Sequence, residues 1–146
     1  RACARLSMFE YYAISLAGLW LVLTTITRQA VIATGAHRKQ AKMVPGVVDP
    51  ALGHDSFVFR SDRTFRNSLE NIVPFFGLSI VAILSEFSPD RLAIVIWVYA
   101  VARLIHMVLY YRIATEKNPS PRSYFYMVGL LATFYLIGDL GQFLIF

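Results

Sequence analysis

Cysteine occurs once in the 146 residues, at Cys3, which excludes an intramolecular disulfide framework and any cysteine-rich zinc or iron-sulfur site within one chain. Charge is scarce too: Asp, Glu, Lys and Arg make up 16% of the residues, against about a quarter in average globular usage. Acidic groups are the scarcer kind, 9 against 14 Lys and Arg, which leaves a formal net charge of +5. There is no internal repeat and no low-complexity tract, so disordered and collagen-like classes are removed as well. What fills the chain instead is apolar, 57% of the residues with a mean hydropathy of +0.55. That excludes most soluble enzymes of this size and points to a membrane protein. The length suits a single domain over residues 1–146. The chain opens on Arg1 rather than Met, and the expectation is that N-terminal residues or a targeting piece precede it.

Crossing about 30 Å of hydrocarbon takes about 20 helical residues, and the sequence offers four such runs: about 8–33, 67–84, 92–114 and 123–146. The predicted fold is therefore an all-α integral membrane four-helix bundle. Ser85 to Arg91, with Ser88-Pro89-Asp90 inside it, predicts a tight hairpin in which Pro89 opens the third helix. Glu116 to Pro121, with two prolines, ends the third helix and opens the fourth. The long break is residues 34–66, polar and punctuated by Pro45-Gly46, Asp49-Pro50 and Gly53.

Lys and Arg accumulate on the cytoplasmic side of membrane proteins. Seven basic residues fall between Arg28 and Arg66 and three between Arg112 and Arg122, while Arg1, Arg5 and Arg91 lie at the opposite end. The first and third loops are thus predicted to face the cytoplasm, with both termini outside or lumenal. A basic chain also suggests nucleic acid, but these residues flank spans and no nucleic-acid motif accompanies them, so topology accounts for the charge.

Ionisable groups in a span are costly and mark functional sites by default. Arg63, Arg66, Asn67 and Glu70 repeat at i, i+3, i+4, i+7 and so share a helix face. Arg103, His106 and Tyr110 repeat at i, i+3, i+7, and Arg122, Ser123 and Tyr126 cluster at the start of the fourth span. Each has an ordinary reading: an Arg66–Glu70 salt bridge, interfacial tyrosines, a satisfied core histidine, a snorkelling Arg122. Together they describe a cationic, hydrogen-bonding pocket between helices on one side of the membrane. It suits a small water-soluble anion, with the bilayer delivering a lipophilic second reactant.

At these residues the sequence resembles the MAPEG family, the membrane-associated proteins in eicosanoid and glutathione metabolism. Arg63-Thr-Phe-Arg66-Asn67-Ser-Leu-Glu70-Asn71-Ile-Val-Pro74-Phe75 resembles the family's second-helix signature. Arg103-Leu-Ile-His106-Met-Val-Leu-Tyr110 resembles the third-helix pattern, Pro121-Arg122-Ser123-Tyr-Phe-Tyr126 the start of the fourth, and Thr34-Gly35-Ala-His-Arg38 the exit from the first. The resemblance covers nearly the whole chain. It implies a homotrimer that binds glutathione between neighbouring protomers near the cytoplasmic face, in a bacterial inner membrane or a eukaryotic endomembrane. By position it assigns Arg38, Arg63, Arg66, Asn67, Glu70, His106, Tyr110 and Tyr126 to glutathione or its support. It assigns Arg122 to holding the thiol as thiolate, and Ser123 to thiol activation. Glutathione's two carboxylates match the arginines and its ammonium matches Glu70. The implied activity is a glutathione transferase or peroxidase, or a prostaglandin E synthase-like isomerase, acting on lipophilic electrophiles or peroxides.

Departures accompany the match. Phe59, followed by Arg60, stands where many members carry a glutamate, with Asp62 the candidate for its charge. Arg66 follows the prostaglandin-synthase branch whereas Leu69-Glu70-Asn71-Ile72 follows the transferase branch, so the second substrate stays open. Asp49 lies near a catalytic aspartate of the synthase branch, but Asp before Pro is also an ordinary turn residue. Asp139 and Gln142 read as a polar pair at a helix end or against a neighbouring protomer, Glu10 as interfacial, and Gly18 as a point of close helix packing. The alternative class is a non-catalytic structural or accessory subunit built on the same fold; a channel or transporter has no broken-helix signature behind it.

Overall fold

The structure is a computed structural model describing residues 8–40 and 43–146; Arg1, Cys3 and Arg5 of the sequence reading lie outside the described residues. Four long helices follow one another among these residues: α1 (Ala13–Arg38), α2 (Phe57–Leu84), α3 (Pro89–Arg112) and α4 (Pro121–Ile145). All four are long and apolar enough to cross a membrane. The shortest, the 24-residue α3, reaches roughly 36 Å at about 1.5 Å per residue. In hydrocarbon a helix satisfies its backbone internally, which is why runs of this composition settle into helices rather than exposed strands.

α3 packs against each of the other three helices. Its inward residues Leu92, Val95, Ile96, Tyr99 and Ala100 form the centre of the core, with Tyr12, Leu19 and Val22 on the α1 side, Ile72, Phe75 and Ala82 from α2, and Ala132, Leu136 and Leu140 from α4. Phe75 and Tyr99 stack with ring centroids 3.9 Å apart. The buried stripe of α2 runs Ser61, Thr64, Ser68, Ile72, Phe75, Ser79, Ala82, a three- and four-residue spacing that keeps one face inward. Its hydroxyls return to the helix's own carbonyls, Thr64 to Arg60 at 2.7 Å and Ser79 to Phe75 at 2.8 Å, so they are buried at little cost. Gly18 lets α1 approach α3 closely: a Cβ there would lie 2.6 Å from Ile96 Cγ2. Large apolar side chains such as Trp20, Val73, Ile94, Leu131 and Phe134 point outward, the surface lipid requires.

The helices alternate in direction. At one end the loop before α2 meets the segment after α3 through His54 and Glu116. At the other, Arg91 at the start of α3 pairs with Asp139 late in α4 at 2.7 Å, the Tyr12 hydroxyl donates to the Phe87 carbonyl, and Phe87 meets Phe143 edge-on. Asp139 therefore has a structural partner, while the cavities described below do not include Gln142.

Element boundaries differ from the sequence reading most in α2, which begins at Phe57 rather than Asn67. Hydropathy marks the slab of hydrocarbon, whereas the helix continues beyond it through Arg60, Arg63 and Arg66, which propagate a helix well in water, and Asp62, which pairs with Arg66 one turn on. The break expected over 34–66 accordingly shrinks to 39–56, α1 running on through Gly35 to Arg38. Within it Pro45-Gly46 makes a turn, Gly46 taking the positive φ of 76° that glycine allows. The connection after α2 is a Schellman closure: the Phe87 N–H donates to the Ala82 carbonyl at 2.9 Å and the Glu86 N–H to Ile83 at 3.3 Å, with Glu86 itself at φ 59°.

Candidate functional site

At the end of the bundle where the first and third connections meet, a cavity of about 650 Å³ opens among α2, α3 and α4. Arg63 and Asn67 come to it from α2, His106 and Tyr110 from α3, and Arg122, Ser123 and Tyr126 from α4. Seven of the ten residues singled out in the sequence thus converge, because i, i+4 positions on each helix stack toward the same groove. His54, Glu116 and Lys117 complete the polar wall from the two connections.

Arg122 is 9% exposed and held three ways. Its Nη2 donates to the Thr115 carbonyl at 2.7 Å, its Nη1 to Ile113 at 3.5 Å, and its guanidinium carbon sits 4.2 Å from the centre of the Tyr110 ring. A guanidinium has five N–H donors, so this anchoring fixes the cation in place and still leaves donors for a ligand. Ser123 takes part in the cap of α4: its Oγ accepts the Ser120 N–H at 3.3 Å and lies 3.3 Å from the Ser120 hydroxyl. Both residues read from sequence as chemical therefore also stabilise the start of α4.

Behind the cavity Arg103 is 5% exposed and donates through Nη2 to Asn67 Oδ1 at 2.6 Å and to Ser68 Oγ at 3.2 Å. No carboxylate pairs with it among the described residues. It orients the Asn67 amide and adds positive potential to a wall on which Arg63, Lys117 and Arg122 face one carboxylate, Glu116. The buried guanidinium groups of Arg103 and Arg122, with the exposed Arg63 and Lys117 beside them, favour an anion. His106 is 3% exposed, between the rings of Tyr110 and Tyr126, and its Nδ1 has no protein partner among the described residues.

Arg38 and Arg66 are placed elsewhere. They line a second cavity of about 390 Å³ between α1 and α2, with His37, Asp62 and the 43–48 turn around it. Arg66 does not pair with Glu70, as the spacing allowed, but with Asp62 one turn earlier at 2.8 Å. Glu70 is exposed and belongs to neither cavity. The reason is angular: Arg66 and Asn67 are consecutive and stand about 100° apart around the helix axis, so a stripe that wide straddles two sides of α2. Asp49 is exposed and accepts the Ala51 N–H at 2.9 Å, the Asx turn expected of Asp before Pro.

His54 and Glu116 were not picked out from the sequence. Both lie in connections with no periodicity, and 62 residues separate them. Their geometry is tight: His54 Nδ1 lies 2.6 Å from Glu116 Oε2, the His54 backbone N–H donates to Glu116 Oε1 at 2.9 Å, and His54 Nε2 lies 3.1 Å from the Tyr110 hydroxyl. These bonds from His54 hold the Glu116 carboxyl below the usual carboxylate range.

No curated protein and no solved structure matches the chain. A family model does, over residues 9–141, nearly the full length. With four helices able to cross a bilayer and a family match that takes in three of them and most of the fourth, this integral multi-pass membrane protein belongs to the MAPEG family.

Proposed function

We propose that the protein is a glutathione-dependent membrane transferase or peroxidase that activates the glutathione thiol for attack on lipophilic electrophiles or peroxides. The observation that carries the reading is the cavity of about 650 Å³ with three cations against one carboxylate. Its size lies in the range of small-molecule sites, and its charge complements a tripeptide with two carboxylates. Family membership supports the same chemistry, since the family includes glutathione transferases and related enzymes.

In this reading Arg63, with Asn67 held by Arg103, binds a glutathione carboxylate, and His106 and Tyr126 supply hydrogen bonds along the peptide. Arg122 holds the sulfur as thiolate, a nearby cation lowering a thiol's pKa, and Ser123 donates to the same sulfur. Glu70, Arg38 and Arg66, which lie outside this cavity, act in a homotrimer, across the interface to a neighbouring protomer, where Glu70 takes the ammonium of that protomer's glutathione. The cavity end carries the basic first and third connections, so it faces the cytoplasm, where glutathione is dissolved. The lipophilic substrate and membrane lipids meet the outward apolar faces of the helices.

Calorimetric titration of glutathione into the protein in nanodiscs tests this. The parent is expected to bind saturably and Arg63→Ala at least tenfold more weakly, as loss of a charge-assisted hydrogen bond of about 1.5–3 kcal/mol requires. Absence of binding refutes the reading. The anchoring of Arg122 on Ile113 and Thr115 favours one rival, a non-catalytic accessory subunit in which this arginine only fastens α4. Binding without any thiolate formation would select that rival.

A further inference from the structure

The bonds of His54 have a direction. A carboxylate only accepts, so Glu116 takes the Nδ1–H, and the neutral imidazole is left with Nε2 as a base facing the Tyr110 hydroxyl. Glu116 grips both the backbone and the ring of His54, and Phe59 packs edge-on against the ring at 4.9 Å. A carboxylate, an imidazole and a phenol are thereby aligned from solvent to cavity: the Glu116 side chain is 72% exposed, that of His54 19%, and Tyr110 is buried. The arrangement is that of a carboxylate–histidine pair orienting a hydroxyl for proton transfer.

We infer that Glu116, His54 and Tyr110 form a proton relay out of the cavity, through which Tyr110 takes the proton of a thiol bound beside Arg122. The inference rests on the glutathione reading of this cavity. The S–H bond breaks with its electron pair left on sulfur, and Tyr110 oxygen gains that proton as its own phenolic proton passes to His54 Nε2. The imidazolium, paired with Glu116, then loses its Nδ1 proton to water at the exposed carboxylate, and tautomer exchange of the neutral ring with water, Nε2 losing a proton as Nδ1 regains one, restores the starting state. Tyr110 is the catalytic residue of the three, and His54 and Glu116 act through it.

The other groups at the cavity do not serve as this outlet. Arg122 has no acceptor atom, Ser123 accepts the Ser120 N–H and in this reading gives its one hydroxyl proton to the sulfur, and His106 is 3% exposed with no protein partner on Nδ1 to carry a proton onward among the described residues. The charged groups around His54 are Arg60, which donates to the His54 carbonyl at 2.5 Å, Arg63, Lys117 and Arg122 on the same cavity, Glu116 on Nδ1 and the neighbouring Asp55.

The test is the rate of proton release when glutathione at saturating concentration is mixed with the protein in nanodiscs, followed with a pH indicator. Because general acid–base groups contribute about 10²–10⁴-fold and water replaces part of that, His54→Ala is expected to slow release about tenfold or more, and added imidazole to restore it. Tyr110→Phe should slow release without imidazole rescue, and Glu116→Gln, isosteric and at an exposed position, should move the pH profile of the rate. Nitrogen-15 spectra of the ligand-free parent should show His54 protonated at Nδ1. Release at the parental rate in His54→Ala, slow release that imidazole fails to restore, or a pH profile that moves with His106→Gln and not with His54→Ala would each overturn the relay. Saturable glutathione binding by the parent alongside such a result would overturn the relay alone, whereas absence of binding overturns the glutathione reading and the relay with it.

Discussion

The contact between α1 and α3 at Gly18 sets a quantitative prediction. A methyl group there would lie 2.6 Å from Ile96 Cγ2 and 3.4 Å from Trp97 Nε1. Carbon atoms pack best at about 3.5–4.0 Å, so Gly18→Ala drives an overlap of about 1 Å into a side chain that is fully buried. Overpacking of this kind costs about 1–3 kcal/mol. Displacement of α3 also strains the hydrogen bond from Trp97 Nε1 to the Ile14 carbonyl, 3.0 Å long, for about another 1 kcal/mol. The expected loss is about 2–4 kcal/mol, read as a lower unfolding midpoint in detergent with tryptophan fluorescence as the probe. Ile96→Leu removes the clashing Cγ2 at nearly constant volume, costs less than about 1.5 kcal/mol by itself, and should recover at least about 1 kcal/mol in the double variant. Unchanged stability of Gly18→Ala, or strictly additive losses in the double variant, would refute the packing argument.

Glu86 holds the left-handed position of the α2–α3 connection at φ 59°, where a residue with a Cβ costs about 1–2 kcal/mol. Glu86→Gly should raise stability by about 0.5–1 kcal/mol, the conformational relief less the added chain entropy of glycine, checked by the same melting assay. The Glu116 carboxyl is held below its ordinary value of 4.5 by the bonds it accepts from His54, with Arg122 adding to the effect. A depressed folded value means the tie between the first and third connections is fully present above the ordinary carboxylate pKa and is lost as pH falls through the folded value. The protection factor of the His54 amide, its exchange rate relative to that of an unstructured amide at the same pH, should therefore be steady at neutral pH and fall at pH values below 4.5, and a pH-independent protection factor would contradict this.

How far the sequence revealed the molecule depended on periodicity. The four spans were legible from hydropathy because lipid imposes length and composition on a helix. The start of α2 was not, since Phe57 to Arg66 is helical without being apolar enough for the hydrocarbon. Arg63, Asn67, His106, Tyr110 and Arg122 were legible for a related reason: ionisable and polar groups at three- and four-residue spacing on apolar helices stand out. Which side of α2 each would take was only half legible. Arg66 and Asn67 are adjacent in sequence yet serve different cavities, a separation fixed by how α1 and α3 pack around α2. His54 and Glu116 carried no signal, because their pairing is made by the meeting of two connections and by nothing local to either.

The central claim is that Arg122, buried and anchored at the start of α4, holds a glutathione sulfur as thiolate. Ultraviolet absorbance of the thiolate in nanodiscs, with glutathione added at neutral pH to the parent and to Arg122→Ala, measures it directly. The account predicts a saturable thiolate band in the parent that falls about tenfold in the variant, as a rise of one pKa unit or more in the bound thiol implies. A band of equal size in Arg122→Ala, or bound glutathione without a band in the parent, would contradict it.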